Sequence, residues 1–139
     1  MYDLNKSQIL ELFQFDNAAR VISDAYVASS NGHVQTGDVV HLSFPESNGD
    51  CHVKSGHIRN TDSYVIKIAS GFYNNPSKGL PSSNGMMLAF SATTGEPTAI
   101  LRDEGWLTDM RTGIGGAIAT KALAAKNAKK VLIIGSGIQ

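Results

Sequence analysis

A chain of 139 residues that is 42% hydrophobic and 17% charged is globular in composition and long enough for one core, but too short to add a complete nucleotide-binding domain to the segments described below. Twelve basic residues balance twelve acidic ones without a basic patch, which argues against nucleic acid as a partner. The single cysteine, Cys51, fits a reducing, cytoplasmic compartment, the charges at Asp3, Lys6, Glu11, Asp16 and Arg20 argue against a secretory signal, and no apolar run approaches the roughly 20 residues of a membrane span.

In chain order, "NKSQILELF" predicts a short helix capped by Asn5 or Ser7. "DNAARVISDAYVASSNG" predicts a second, with Asp16 as N-cap and Gly32 at its stop. Its stripe of Val21, Ile22, Ala25 and Tyr26 is expected to pack in the core. From residue 38 to 102 the pattern turns to strands: "DVVHLSF", "CHVKSGHI", "YVIKIAS", "MMLAFSA" and "PTAILRD", separated by turn-rich segments. In "SATTGEPTAIL" Gly95 should supply the positive φ of a hairpin. A long helix over "WLTDMRTGIGGAIATKALAAKN" follows, then an apolar strand at "VLII" running into a glycine turn. The expected fold class is α+β: N-terminal helices, a mostly antiparallel sheet, a long helix, and the first strand of a truncated Rossmann domain. Residues 127–139 would form the start of a dinucleotide-binding domain.

Three features carry candidate chemistry. Lys67 sits mid-strand among apolar residues, on one face with Val65 and Ala69. It either binds a carboxylate or snorkels to water from an edge strand. Arg111 precedes the cluster Gly113, Gly115 and Gly116, where either a ligand or a packed helix comes close. Its guanidinium suits carboxylate or phosphate, or an ion pair with Asp103 or Asp109. "IIGSGIQ" after "KKVL" has the strand, tight turn and glycine pair of a phosphate-binding turn. His33, His41, His52 and His57 lack the tight spacing of a metal site, and Cys51 and His52 fall on opposite faces of one strand, so no metal is expected.

The stretches "VIKIASGFYNNPSKGLPSSNGMMLAFSATTGEPTAILRDEGWLTDMRTGIGGAIA" and "VLIIGSGIQ" together resemble the ornithine cyclodeaminase/mu-crystallin family. The likeness is close over about the last 75 residues and looser before them. It implies that the chain corresponds to the N-terminal portion of a protein about twice as long or more, ending in the first Rossmann turn, with residues 1–126 as a substrate-binding and dimerisation domain with its linking helix and 127–139 as the first strand and glycine turn of an incomplete dinucleotide-binding domain. It implies NAD or NADP as cofactor, a small amino or imino acid as substrate, and a homodimer paired through the sheet. By position, Lys67 would bind the substrate carboxylate and Arg111 would reach both substrate and cofactor. Ser82, Gly135, Gly137, Ile138 and Gln139 would contact the cofactor. The family's acid/base aspartate belongs to the Rossmann domain, so no catalytic residue is assigned to these 139 residues, which on their own are expected to be inactive. The implied reaction is conversion of ornithine to proline and ammonia. The alternatives are reduction of a ketimine or pyrroline-carboxylate, or a non-catalytic binding role like that of mu-crystallin. The resemblance departs from its pattern at "VVHLSFPESNGDCHVK", where the family commonly has a carboxylate-binding arginine and this chain has none. His41, His52 or Lys54 would have to substitute for it, or the substrate would have to differ.

Overall fold

The computed structural model describes residues 1–135. Strand β1 (Tyr2–Asn5) leads into helices α1 (Lys6–Leu12) and α2 (Phe15–Ser30). Six strands follow: β2 (Val34–Thr36), β3 (Val40–Phe44), β4 (Gly49–Ile58), β5 (Ser63–Phe72), β6 (Ser83–Ser91) and β7 (Pro97–Arg102). Helix α3 (Trp106–Leu123) closes the described fold. The seven strands form one sheet in the order β1-β7-β6-β5-β4-β2, with β3 sharing the outer edge of β4. Every pairing is antiparallel except β1 with β7. The mixed α+β architecture and the antiparallel majority are as expected from the sequence.

Local chemistry explains most boundaries. Asn5 caps α1 in a reciprocal box: its side chain accepts from the Gln8 amide, and the Gln8 side chain accepts from the Asn5 amide, both at 3.0 Å. Helix α2 begins earlier than expected. Its N-cap is Gln14, and Asp16 sits in the first turn, where its charge meets the positive end of the helix. In the β6–β7 hairpin the Ser91 hydroxyl accepts from the amides of Thr93 and Thr94, at 3.2 and 3.1 Å. Gly95 has the expected positive φ, at 75°.

Three expectations are corrected. The α2 stripe is only partly covered: Ile22 and Ala25 are half-buried, and Val21 and Tyr26 are more than half exposed. Helix α3 ends at Leu123, four residues before Asn127. Leu123 is 85% exposed, and helix propensity without packing is marginal. The strand expected at Val131–Ile134 is not formed, and residues 124–135 are irregular. A parallel strand needs a ladder partner and a covering helix; among the described residues it has neither, and Ile134 is 91% exposed.

Two faces of the sheet differ. The strand registers put Lys67 of β5 opposite Lys54 of β4 and Met87 of β6, which is opposite Leu101 of β7. Helix α3 covers this face, and Gly105 at its start presses on the Asn84 backbone. The opposite face carries Leu42, Cys51, Val53, Ile66, Ile68, Leu88 and Ile100. None of these is fully buried, and Leu42 is half exposed. Only Ile9 and Ile114 are buried large apolar side chains among the described residues. The chain exposes 10132 Å², where a compact protein of its mass exposes about 7,000 Å².

Candidate substrate site

The face under α3 collects the charged side chains. Lys67 stands on β5, between β4 and β6, so the edge-strand reading is excluded. It is half-buried. Burial lowers its pKa from the usual 10.5, and the positive charges of Arg111 and Lys54 lower it further, while Asp103 opposes them. Lys67, Arg111, Lys54 and Asp103 therefore share one electrostatic neighbourhood, although they come from β5, α3, β4 and the β7–α3 turn. No carboxylate lies within ion-pair distance of the three cations among the described residues. In particular, Arg111 pairs with neither Asp103 nor Asp109.

The turn between β7 and α3 is built around Asp103, which is 1% exposed. Its Oδ2 accepts from the Leu107 amide at 2.8 Å, and its carbonyl accepts from the Trp106 amide at 3.0 Å. The N-cap residue Gly105 has no side chain to offer, so Asp103 supplies the missing acceptor from two residues upstream. Glu104 and Gly105 both take positive φ, 56° and 84°, to make room for this. Asp103 Oδ1 is buried and has no hydrogen-bond partner among the described residues.

A cavity of about 310 Å³ lies between sheet and helix, lined among others by His52, Ala69, Gly71, Asn84, Thr108 and Asp109. Lys67 is the next residue on that face of β5, two positions before Ala69, and Arg111 follows Thr108 by three positions on α3. Neither lines the cavity itself. Next to it, His41 and His52 lie opposite each other across β3–β4, and their rings stack at 4.6 Å. Asp50 Oδ1 is 3.6 Å from His52 Nδ1, and the Tyr73 hydroxyl donates to Asp50 Oδ2 at 3.3 Å. Of the three residues considered as replacements for the absent arginine, Lys54 is the one directly opposite Lys67.

Ser82 is half-buried in the loop before β6, and its carbonyl accepts from the Phe72 amide at 2.7 Å. Its neighbours Pro81 and Ser83 line a second, largely apolar cavity of about 420 Å³ along α3 with Trp106, Met110 and Gly113. Ser82 itself lines neither cavity. The glycine cluster divides. A Cβ on Gly115 would lie 2.7 Å from the Tyr26 hydroxyl, so helix packing accounts for it, whereas Gly113 and Gly116 face open space.

Some residues present fit a dinucleotide. Gly135 has φ 106°, a conformation costly for any side chain, as a turn beneath a phosphate requires. Arg111 is exposed on α3 and available to an anion. Gly137, Ile138 and Gln139 lie outside the described residues. No group of three or more metal-ligating side chains occurs among the described residues, and no described helix is long and apolar enough to cross a membrane.

Sequence reasoning missed two parts of this neighbourhood. Asp103 entered only as an ion-pair partner for Arg111, although a carboxylate between an apolar strand and a helix start that lacks a capping side chain was a legible signal. The meeting of His41 with His52 needs the β3–β4 register, which counting back from the turn at 45–48 would have given.

Comparison with known proteins agrees with the fold. An uncharacterized cyclodeaminase of Sinorhizobium fredii is 37% identical over 138 residues, covering 98% of this chain and 42% of that protein. The structure of an archaeal alanine dehydrogenase dimer with bound NAD superposes with a TM-score of 0.82 at 30% identity, covering 91% of this chain and 38% of that one. The Delta(1)-pyrroline-2-carboxylate reductase of Thermococcus litoralis, in complex with NADH and L-proline, gives 0.85 at 28% identity, over 93% of this chain and 40% of that one. The chain thus spans about two fifths of the length of the proteins it matches. Its match to the family runs over residues 3–139, and the chain belongs to the ornithine cyclodeaminase/mu-crystallin family.

Proposed function

We propose that this chain forms the substrate-binding side of an NAD(P)-dependent enzyme that interconverts a small amino acid and its imine, in the manner of an imino acid reductase. The observation that carries this reading is the group Lys67, Lys54 and Arg111, three cations on one face without a carboxylate at ion-pair distance among the described residues. Of the three only Lys67 is half-buried, Lys54 and Arg111 being exposed; a half-buried cation calls for an anion, and the α-carboxylate of an amino or imino acid has the size and charge to supply it. Lys67 and Arg111 would grip that carboxylate and Lys54 would take the part of the absent arginine. Gripped at the carboxylate, the substrate has its Cα held at one place and in one orientation, which lowers the barrier by proximity. The nicotinamide, when bound, supplies hydride transfer at Cα. The relatives with NAD or NADH bound support that choice of cofactor, as does the positive φ of Gly135.

Cyclodeamination of ornithine is the second reading, and Asp109 and Asp50 favour it. Both line the cavity beside Lys67 and offer carboxylates to a distal ammonium. Asp50, however, is already engaged by Tyr73 and His52, and the surplus of cations suits a substrate that carries no second positive charge. The test uses a polypeptide that includes a complete dinucleotide-binding domain. Oxidation of NADH or NADPH by a cyclic or linear imino acid, without ammonia release from ornithine, is the expected result; NAD-dependent ammonia release from ornithine overturns it in favour of cyclodeamination.

A further inference from the structure

We propose that the cavity between the sheet and α3 is the side-chain pocket of the substrate, and that His52, backed by Asp50, reads a hydroxyl group there. The inference rests on the reading of Lys67 and Arg111 as the carboxylate grip, and it names which amino or imino acids that grip serves. Small residues make the pocket. The strand registers set Ala69 and Gly71 of β5 between His52 and Asp50 of β4 on one side and Gly85 and Ser83 of β6 on the other. Ala69, Gly71 and Gly85 offer one methyl group between them, and about 310 Å³ stays open beneath α3. Lys67 stands two positions from Ala69 on the same face, about 7 Å along the strand, a distance that a short amino acid can span.

One wall of the pocket is a chain of three polar side chains. The Tyr73 hydroxyl donates to Asp50 Oδ2 at 3.3 Å, and Asp50 Oδ1 lies 3.6 Å from His52 Nδ1. Gly71 permits the first link, because a Cβ there would sit 3.0 Å from the Tyr73 hydroxyl and 3.5 Å from Asp50 Oδ1. His41 stacks on the His52 ring at 4.6 Å with 17° between the planes, which holds the imidazole from a second side. A carboxylate beside Nδ1 keeps the hydrogen of the neutral ring on that nitrogen, so Nε2 presents a lone pair. Neither Nε2 nor the carboxylate of the half-buried Asp109, which lines the pocket from α3, has a hydrogen-bond or ion-pair partner among the described residues. The pocket therefore offers acceptors and calls for a donor. An alkyl side chain would strip water from these acceptors and return nothing. A second carboxylate would meet Asp50 and Asp109. A distal ammonium would join a face that already carries Lys67 and Lys54. A hydroxyl donates a hydrogen and adds no charge.

The test uses a polypeptide with the complete dinucleotide-binding domain, NAD or NADP, and matched pairs of amino acids: L-alanine with L-serine, L-2-aminobutyrate with L-homoserine, and L-proline with 4-hydroxy-L-proline. The hydroxylated member of at least one pair should have a kcat/KM about 10-fold or more above its partner. Parity or preference for the plain member in all three pairs overturns the proposal, as does a higher kcat/KM for L-2,4-diaminobutyrate than for L-homoserine. In His52→Leu the preference should fall towards parity, through a higher KM for the hydroxylated member, with the plain member little changed. Tyr73 is 60% exposed, so Tyr73→Phe keeps the fold even should His52→Leu not; losing its bond to Asp50 should narrow the preference in the same sense. A preference unchanged in every variant that folds overturns the proposal. Binding is read without turnover by ¹⁵N-histidine NMR, with His52 assigned by its loss in His52→Leu. The hydroxylated member should move the Nε2 resonance and the plain member should not; an unmoved resonance overturns the proposal. Should the plain members alone be oxidised, the functional reading stands and only the hydroxyl pocket falls. Should no amino or imino acid react in either direction, the functional reading falls and takes the pocket with it.

Discussion

At the scale of single residues, the depressed pKa of Lys67 sets a pH dependence in two directions. On the proposed reading substrate binding needs the ammonium, so affinity for a carboxylate substrate should fall on the alkaline side at a lower pH than an ordinary lysine would allow, which a pH profile of kcat/KM reads directly. Folding responds with the opposite sign. A cation whose folded pKa lies below its unfolded value of 10.5 is penalised by burial while charged, and the folded state binds fewer protons between the two values. The penalty is complete below the folded pKa and is relieved as pH rises from there towards 10.5. Arg111 is simpler. It is exposed and makes no ion pair among the described residues, so Arg111→Met should leave the melting temperature nearly unchanged. The loss of charge-assisted bonds to a carboxylate, about 1.5–3 kcal/mol each, should lower kcat/KM by roughly 10- to 100-fold. Steady-state kinetics beside a thermal melt separates the two effects, and an unchanged kcat/KM would remove Arg111 from the site.

At the scale of elements, glycines under the site should split by what surrounds them. Gly116 is exposed in α3, and a methyl group added there would meet nothing, so Gly116→Ala should stabilise the helix by up to about 1 kcal/mol. Gly85, on β6 beside Ala69, is the reverse case: its Cβ would lie 2.5 Å from the Ile68 carbonyl oxygen. Backbone cannot swing aside, so Gly85→Ala should destabilise by roughly 1–3 kcal/mol, and differential scanning calorimetry should show the two melting temperatures moving apart. These elements also show what was readable in the sequence. The strands β3 to β7 announced themselves because alternation and turn residues are local, and Gly95 could only mark a turn. Strands β1 and β2 did not, because Tyr2–Asn5 and Val34–Thr36 are too short for a pattern. Strand β1 exists only by pairing with β7, nearly a hundred residues later. Lys67 and Arg111 stood out individually, but their meeting, and the part of Asp103 in it, depends on the β4–β5 register and the docking of α3, which no local signal encodes.

At the scale of the whole molecule, the unequal faces of the sheet call for a partner. One face is covered by α3. The other presents Val40, Leu42 and Phe44 from β3, at 54%, 52% and 39% exposure, continuous with Val53, Ile66, Ile68 and Leu88 from the central strands. The stacked pair Tyr64–Phe90 and the tilted pair Phe44–Phe72 belong to the same surface. The excess over the roughly 7,000 Å² expected for this mass is partly the irregular segment 124–135, but that segment cannot account for half-exposed apolar side chains on a sheet. An apolar face of this breadth marks an interface, and a sheet face of this kind suits a second copy of itself across a two-fold axis, sheet against sheet at about 10 Å. We therefore expect a homodimer through this face, which leaves the Lys67 cleft of each copy open on the outer side. Light scattering at micromolar concentration should give twice the mass of the chain. Leu42→Asp, which puts a charge at the centre of the exposed part of the face, should shift the mass to that of one chain with far-ultraviolet circular dichroism retained, because Leu42 is half exposed before assembly and contributes little to the fold of a single copy. A single-chain mass for the native protein across that concentration range would rule out pairing through this sheet and assign the face to some other partner.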